Sequence, residues 1–274
     1  MEIEDIINYI NDKGKYSNEI HIVGGLHPDK PFEYYLDMVR TIKATFKDKI
    51  VKAFTSVEID YFSKISGRKV EDVLVSLKDS GLDCMPGGGA EIFSTETRNK
   101  ICPEKIDGDR WLYIMEVAHQ NGIKSNATML YGHLESENDK LEHLERIRKL
   151  QKKTEGFLAF VALSFQTENT FMEGKFAATG VEDLKTIAVS RIILDNIPHI
   201  KAYWVMLGEK LAQLSLKFGA DDLDGTIIKE NISHAAGSKS KEGLNIDTLL
   251  DLIRSAGLVP VERDAFYNAI KVYQ

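Results

Sequence analysis

Short apolar runs alternate with amphipathic stripes along almost the whole chain, and this rhythm restricts the fold more than any single motif does. Runs over 19–23, 50–55, 82–85, 123–130, 157–165, 200–206 and 223–227 read as strands. The run 157–165 is nearly all apolar, as a strand buried on both faces must be. Between the runs, apolar residues recur three and four apart, the spacing of one helix face. Examples are Ile3, Ile6, Ile7 and Ile10 in 2–13, then Tyr35, Met38, Val39 and Ile42 in 32–46, then Leu141, Leu144, Ile147 and Leu150 in 139–153. Further helices are predicted over 70–80, 111–120, 183–194, 210–218 and 246–256. Gly81, Gly122, Gly219 and Gly257 close four of them. About seven strands, each followed by a helix at a spacing of roughly 30 to 40 residues, make the pattern of an α/β protein of the β/α barrel (TIM-like) type. A closed barrel has eight strands. This chain opens on a helix, so the reading puts the missing strand ahead of Met1 and takes residues 1–274 as one domain.

Composition narrows the function. A net charge of −7 argues against a nucleic-acid surface. No apolar run approaches the ~18 residues of a membrane span, and the acidic N-terminus is unlike a signal peptide. With Cys84 and Cys102 as the only cysteines, the expected setting is reducing and cytoplasmic. Neither HxH, HExxH nor CxxC spacing occurs, so no protein-held metal site is indicated.

The strand-to-helix turns are polar and glycine-rich: GGLHP (24–28), TSVE (55–58), PGGGAE (86–91), NATMLYGH (126–133), SFQTENT (164–170), KAYW (201–204) and DDLDGT (221–226). In a parallel barrel they gather on one face, at the carboxyl ends of the strands, where ligands bind. Glycines there let a ligand approach bare backbone. Single residues stay open to two readings. His27 caps a turn or meets a ligand, and His133 is a base or holds its loop. His199 orders a loop more readily than it binds a metal. Asp222 and Asp224 are paired ligands or turn-makers.

Taken together, GGLHPDKPFEYYLDM, KAFTSVEIDYF, PGGGAEIF, NATMLYGH, LDNIPHIKAYW, GADDLDGT and VERDAFYN resemble the aminofutalosine synthase family of radical S-adenosylmethionine (SAM) enzymes, from about residue 19 onward. PGGGAEIF with NATMLYGH separates that family from the cyclic dehypoxanthine futalosine synthases and the deazaflavin-cofactor synthases. The resemblance implies a radical SAM barrel, a [4Fe-4S] cluster served by an electron donor, and a place in menaquinone biosynthesis. It implies that the 5′-deoxyadenosyl radical of SAM adds to 3-[(1-carboxyvinyl)oxy]benzoate, which rearranges and loses its carboxyl group to give aminofutalosine.

Carried over by position, the resemblance implies that Gly24 and Gly25 meet the methionine amino group of SAM through their backbone. Glu91 contacts the SAM amino group or ribose, with Ser56 and Glu58 as similar candidates. Arg110 pairs with the methionine carboxylate. Asn126, Thr128, His133, Gln166, Tyr203 and Asp224 line the substrate side. The family's Cys-x3-Cys-x2-Cys cluster loop is not in this sequence, and Cys84 and Cys102 do not replace it. The expectation is therefore a chain lacking the cluster segment and inactive on its own. One rival is a protein that binds SAM, a nucleoside or a strand-supplying partner without catalysis. The other is a barrel hydrolase or isomerase using Glu91 and His133.

Overall fold

The computed structural model describes residues 2–167, 178–227 and 243–274. Residues 168–170 of the SFQTENT turn lie outside them. Six strands, β1 (Glu19–Ile22), β2 (Ile50–Ala53), β3 (Cys84–Met85), β4 (Lys124–Tyr131), β5 (Phe157–Ser164) and β6 (His199–Lys201), pair in sequence order. Every pairing is parallel. Parallel neighbours need crossovers, and the helices supply them. These are α1 (Ile3–Lys13), α2 (Phe32–Thr45), α3 (Ser56–Ser66), α4 (Val70–Asp79), α5 (Thr95–Ile101), α6 (Gly108–Gln120), α7 (Glu137–Thr154), α8 (Gly180–Ile193), α9 (Trp204–Leu207), α10 (Glu209–Ser215) and α11 (Ile246–Ser255). Lys201 and Asp224 lie within electrostatic reach of Glu19 and His21. The sheet therefore curls until its first and sixth strands share one interior. No described helix is long and apolar enough to cross a membrane.

Helices seal the outer face with a continuous core. Trp111, Trp204, Tyr131, Phe54, Phe62, Phe93, Phe157 and Phe160 are among its fully buried side chains. Phe54, Phe62 and Tyr35 meet at ring separations of 4.3–5.9 Å, in the tilted and edge-on geometries aromatic quadrupoles favour.

Three departures from the sequence reading have physical causes. Strand 223–227 does not form. Asp222 bridges to Lys201 in the parallel sense, then the chain turns, with Asp224 and Ile227 left-handed at φ 69° and 45°. The turn is closed locally, Asp224 N donating to Asp222 Oδ1 at 2.8 Å, and left-handed backbone at Asp224 cannot continue a strand. Strand 200–206 stops at Lys201, because Trp204 is buried to start α9 and gives its indole N–H to Gly225 O at 3.0 Å. Segment 55–58, read as a turn, opens the unforeseen helix α3 with a capping box. Thr55 Oγ1 accepts from Glu58 N, and Glu58 Oε2 accepts from Thr55 N at 2.7 Å. An antiparallel hairpin, β7 (Val261–Arg263) with β8 (Ala269–Val272), was also unforeseen.

Two buried histidines bind the shell to the sheet. Thr154 Oγ1 donates to Leu150 O, so it accepts from His119 Nδ1–H at 2.8 Å, and His119 Nε2 accepts from Ser125. His143 Nε2–H donates to Thr128 O at 2.9 Å while its ring stacks on Phe93 at 3.9 Å. Burial holds both imidazoles neutral, pushing each down to about 3. Their folded values lie below the unfolded value of about 6.5, so stability is fully present above that pH and falls as acid protonates the unfolded chain first. At roughly 1.4 kcal/mol per histidine per pH unit, the pair should cost about 2.5 kcal/mol between pH 7 and 5.5. Most carboxylates titrate lower and contribute later. Urea unfolding at the two pH values measures the drop, from which H119Q should remove about 1.2 kcal/mol. A midpoint that holds constant would contradict the buried-neutral assignment.

Candidate active site

Three strand ends meet around bare backbone. After β1, a side chain at Gly24 would first meet Glu58 Oε1, at 3.6 Å, and one at Gly25 would meet nothing within 4 Å. Packing does not demand glycine at either position, so the space beside them is open. Glu58 ties this turn to the next one: Oε1 accepts from Gly24 N at 3.2 Å while Oε2 accepts from the Thr55 amide and hydroxyl. Burial raises the Glu58 carboxyl above its usual range, and the hydrogen bonds from Thr55 and Gly24 offset only part of that. Beside it the Ser56 hydroxyl is fully buried and has no partner among the described residues.

After β3, the glycine-rich turn lies across β4. A side chain at Gly87 would come within 2.8 Å of Asn126 O and Ala127 C, both backbone atoms. Here glycine is obligatory, because the obstruction has no rotamer to yield. Thr128 Oγ1 donates to Gly87 O at 2.7 Å. Asn126 shares that face of β4, since side chains alternate with period two. Its Oδ1 is buried without a partner among the described residues. Orphaned buried oxygens cost about 1–3 kcal/mol each, so Ser56 and Asn126 mark places where a ligand or water belongs.

The remaining predicted residues fall into three groups. Glu91 sits in the turn in a left-handed conformation, φ 48°, with its carboxylate on Lys105 Nζ at 2.7 Å. Gln166 donates to Ser164 O, Tyr203 precedes α9 half-buried, and Asp224 accepts from Lys201 Nζ at 2.5 Å. These lie along the strand-end turns of β3, β5 and β6. Arg110 and His133 are already engaged. Arg110 Nε donates to the buried carboxylate of Asp60 at 2.7 Å. His133 donates from Nε2 to Leu130 O, and its Nδ1 accepts from Leu134 N. Both ring nitrogens hold the loop, the second of the readings open in the sequence. His27 is likewise a turn residue, its Nδ1 accepting from Asp29 N, and His199 leans on Asp221 and Tyr267.

Sequence reasoning missed a buried ion network at the last strand. Lys201 is 5% exposed and faces Asp224 and Asp222. Arg263 binds Asp222 from β7, and Tyr267 Oη donates to the same carboxylate at 2.6 Å. Burial alone would raise Asp222, but the charges of Lys201 and Arg263 hold it well below the usual carboxylate range. The VERDAFYN block carried Arg263 and Tyr267 in plain sight. What it lacked was any spacing that ties residue 263 to residue 222.

Among the described residues, no three His, Cys, Asp or Glu side chains gather to hold a metal ion. Cys84 is buried on β3 and burial pushes its thiol up to about 12. Cys102 follows α5, half-buried, its thiol also raised. Two cysteines are too few for an iron–sulfur cluster, which is held by three or four thiolates.

Residues 1–147 match the radical SAM superfamily, and residues 154–274 match the CofH/MqnC C-terminal region. The two matches abut within α7. The aminodeoxyfutalosine synthase of Thermus thermophilus is 44% identical over 99% of this chain and 74% of its own length. The 5-amino-6-(D-ribitylamino)uracil–L-tyrosine 4-hydroxyphenyl transferase of Methanopyrus kandleri is 43% identical over 94% of this chain and 71% of its own. Among solved structures, methylornithine synthase superposes with a TM-score of 0.66 at 16% identity, covering 95% of this chain and 73% of that one. At that identity the likeness speaks for the fold alone.

Proposed function

We propose that this chain, which belongs to the radical SAM superfamily, serves an aminodeoxyfutalosine synthase, carrying the surface that joins the 5′-deoxyadenosyl group to the alkene of 3-[(1-carboxyvinyl)oxy]benzoate. The observation that carries the reading is the seat of PGGGAEIF on NATMLYGH. Gly87 lies on the backbone of Asn126 and Ala127, and Thr128 holds its carbonyl. The two blocks that most support the resemblance thus form one structural unit, with the unpartnered Asn126 oxygen beside it.

SAM supplies the deoxyadenosyl group when bound. The residues present suit it. Gly24 and Gly25 offer open backbone for its methionine end, and Ser56 Oγ and Asn126 Oδ1 offer buried oxygens to its polar atoms. Glu58 holds Gly24 in place, and Glu91 waits at the turn as a carboxylate already neutralised by Lys105. Thr128, Gln166, Tyr203 and Asp224 border the alkene's side. Their task is to hold two reactants in near-attack geometry and keep water out. The superfamily's [4Fe-4S] cluster is another matter: the two cysteines here do not fit it, and no step is assigned through it.

With SAM, substrate and reductant, this 274-residue chain by itself should therefore give no aminodeoxyfutalosine by mass spectrometry, yet bind SAM in calorimetry. Product from the purified chain would refute the first half, and an absent binding isotherm the second. The near-equal identity to the archaeal transferase supports a second reading, in which L-tyrosine is a substrate in place of the benzoate. Titration separates the two without turnover. We expect 3-[(1-carboxyvinyl)oxy]benzoate to bind at least tenfold tighter than L-tyrosine, and the reverse order would favour the transferase.

A further inference from the structure

Every carbonyl from Gly87 to Ile92 is taken by a protein donor from β4, α5 or α6. Thr128 Oγ1 takes Gly87 O at 2.7 Å, Trp111 Nε1 takes Gly88 O at 3.1 Å, and Leu130 N takes Glu91 O at 2.8 Å. The other three go to one side chain. Arg98 Nη2 donates to Gly89 O at 2.9 Å, and Nη1 donates to Ala90 O at 2.5 Å and Ile92 O at 3.2 Å. Its Nε reaches Ile106 O at 2.7 Å. Arg98 is 2% exposed and makes no ion pair among the described residues. A buried cation without a carboxylate is expensive. Here main-chain carbonyl dipoles alone balance it.

The consequence follows from peptide geometry. No peptide bond among the described residues is cis, so each carbonyl of the turn opposes the N–H of the next residue. Each amide of residues 88–93 therefore points away from the donor to the preceding carbonyl; Gly88, Gly89 and Glu91 are the partly exposed residues among them, while Ala90, Ile92 and Phe93 are buried. None of these amides finds an acceptor among the described residues. Side chains at Gly88 and Gly89 would run into Thr55 and Val57 at 3.0 and 2.6 Å, so the turn lies against the start of α3, where the Ser56 hydroxyl is also unpartnered.

We infer that Arg98 is a positioning residue for ligand binding: by drawing in three carbonyls, it sets the polarity of the turn so that backbone amides face the ligand as donors to a carboxylate. The inference rests on the function proposed above. The carboxylate belongs either to the methionine part of SAM or to the benzoate substrate.

Calorimetric titration with S-adenosylhomocysteine, and separately with 3-[(1-carboxyvinyl)oxy]benzoate, distinguishes these sources. R98K keeps the charge but loses the planar fork. Its Kd should rise at least tenfold for one ligand, which identifies the source, or for both. The control is Q151L, which breaks the buried bonds of Gln151 to the Phe157 backbone, at residues that contribute nothing to the turn. It should leave both Kd values within twofold. Wild-type affinity in R98K, or equal weakening in Q151L, would overturn the inference. If R98K does not fold, W111F removes the donor to Gly88 O and should weaken the same ligand. If the unaltered chain binds neither ligand, the functional reading falls, and amide hydrogen exchange decides the role of Arg98. Faster exchange confined to residues 86–93 in R98K supports it, and unchanged exchange there refutes it.

Discussion

Replacing Gly87 with alanine should abolish ligand binding and destabilise the protein by about 1–3 kcal/mol, the usual cost of overpacking a tight interior site. The added methyl would sit 2.8 Å from the carbonyl oxygen of Asn126 and from the carbonyl carbon of Ala127. Neither atom belongs to a side chain, so relief has to come from moving β4 or the turn. Either movement breaks the bond from Thr128 to Gly87 O and displaces the orphaned oxygen of Asn126. Thermal unfolding and SAM titration together test this. The same methyl at Gly25, where nothing lies within 4 Å, should leave stability unchanged within about 0.5 kcal/mol while still blocking ligand. Equal stability losses at the two positions would show that the close approach at Gly87 is not what matters.

A comparably large loss is expected from Lys201→Met. Lys201 sits between Asp222 and Asp224, buried at the end of β6. Methionine fills similar volume but leaves two carboxylates with Arg263 as their remaining cation. Breaking a buried pair by removing one partner costs about 3–5 kcal/mol, because the surviving charge stays desolvated. The double change Lys201→Met with Asp224→Asn should recover part of that loss. Denaturant midpoints of the single and double variants give the coupling directly. Additive losses would mean that Lys201 and Asp224 do not depend on one another.

The parallel α/β wall was legible because its signal is local. Apolar runs such as 157–165 and stripes such as Leu141, Leu144, Ile147 and Leu150 state their own periods. Turn chemistry located the strand ends: Gly24, Ser56, Glu58 and Glu91 lie just past β1, β2 and β3, while Asn126 and Thr128 lie within β4. What failed was whatever depends on partners distant in sequence. The run 223–227 was read as a strand, but the chain turns at Asp224, and Asp222 is tied to Lys201 and Arg263, 21 and 41 residues away. The partner that Arg110 has in this structure, Asp60, lies 50 residues earlier and no spacing announces it. Arg98 has no motif at all: four carbonyl acceptors leave no mark in a sequence, since every residue has one. The capping box Thr55-x-x-Glu58 was readable and gives Glu58 a structural task beside any ligand contact.

The hairpin that carries Arg263 has a bearing on the order of synthesis. Asp222 waits 41 residues for its guanidinium and 45 for the hydroxyl of Tyr267. A chain growing from its N-terminus can lay down the six parallel strands as they emerge. The charge balance at the end of β6 is completed only once Arg263 and Tyr267 have followed. A nascent chain is thus walled before it is furnished, and a ribosome that stalls between Asp222 and Arg263 leaves a barrel wall whose ligand face is short of a cation.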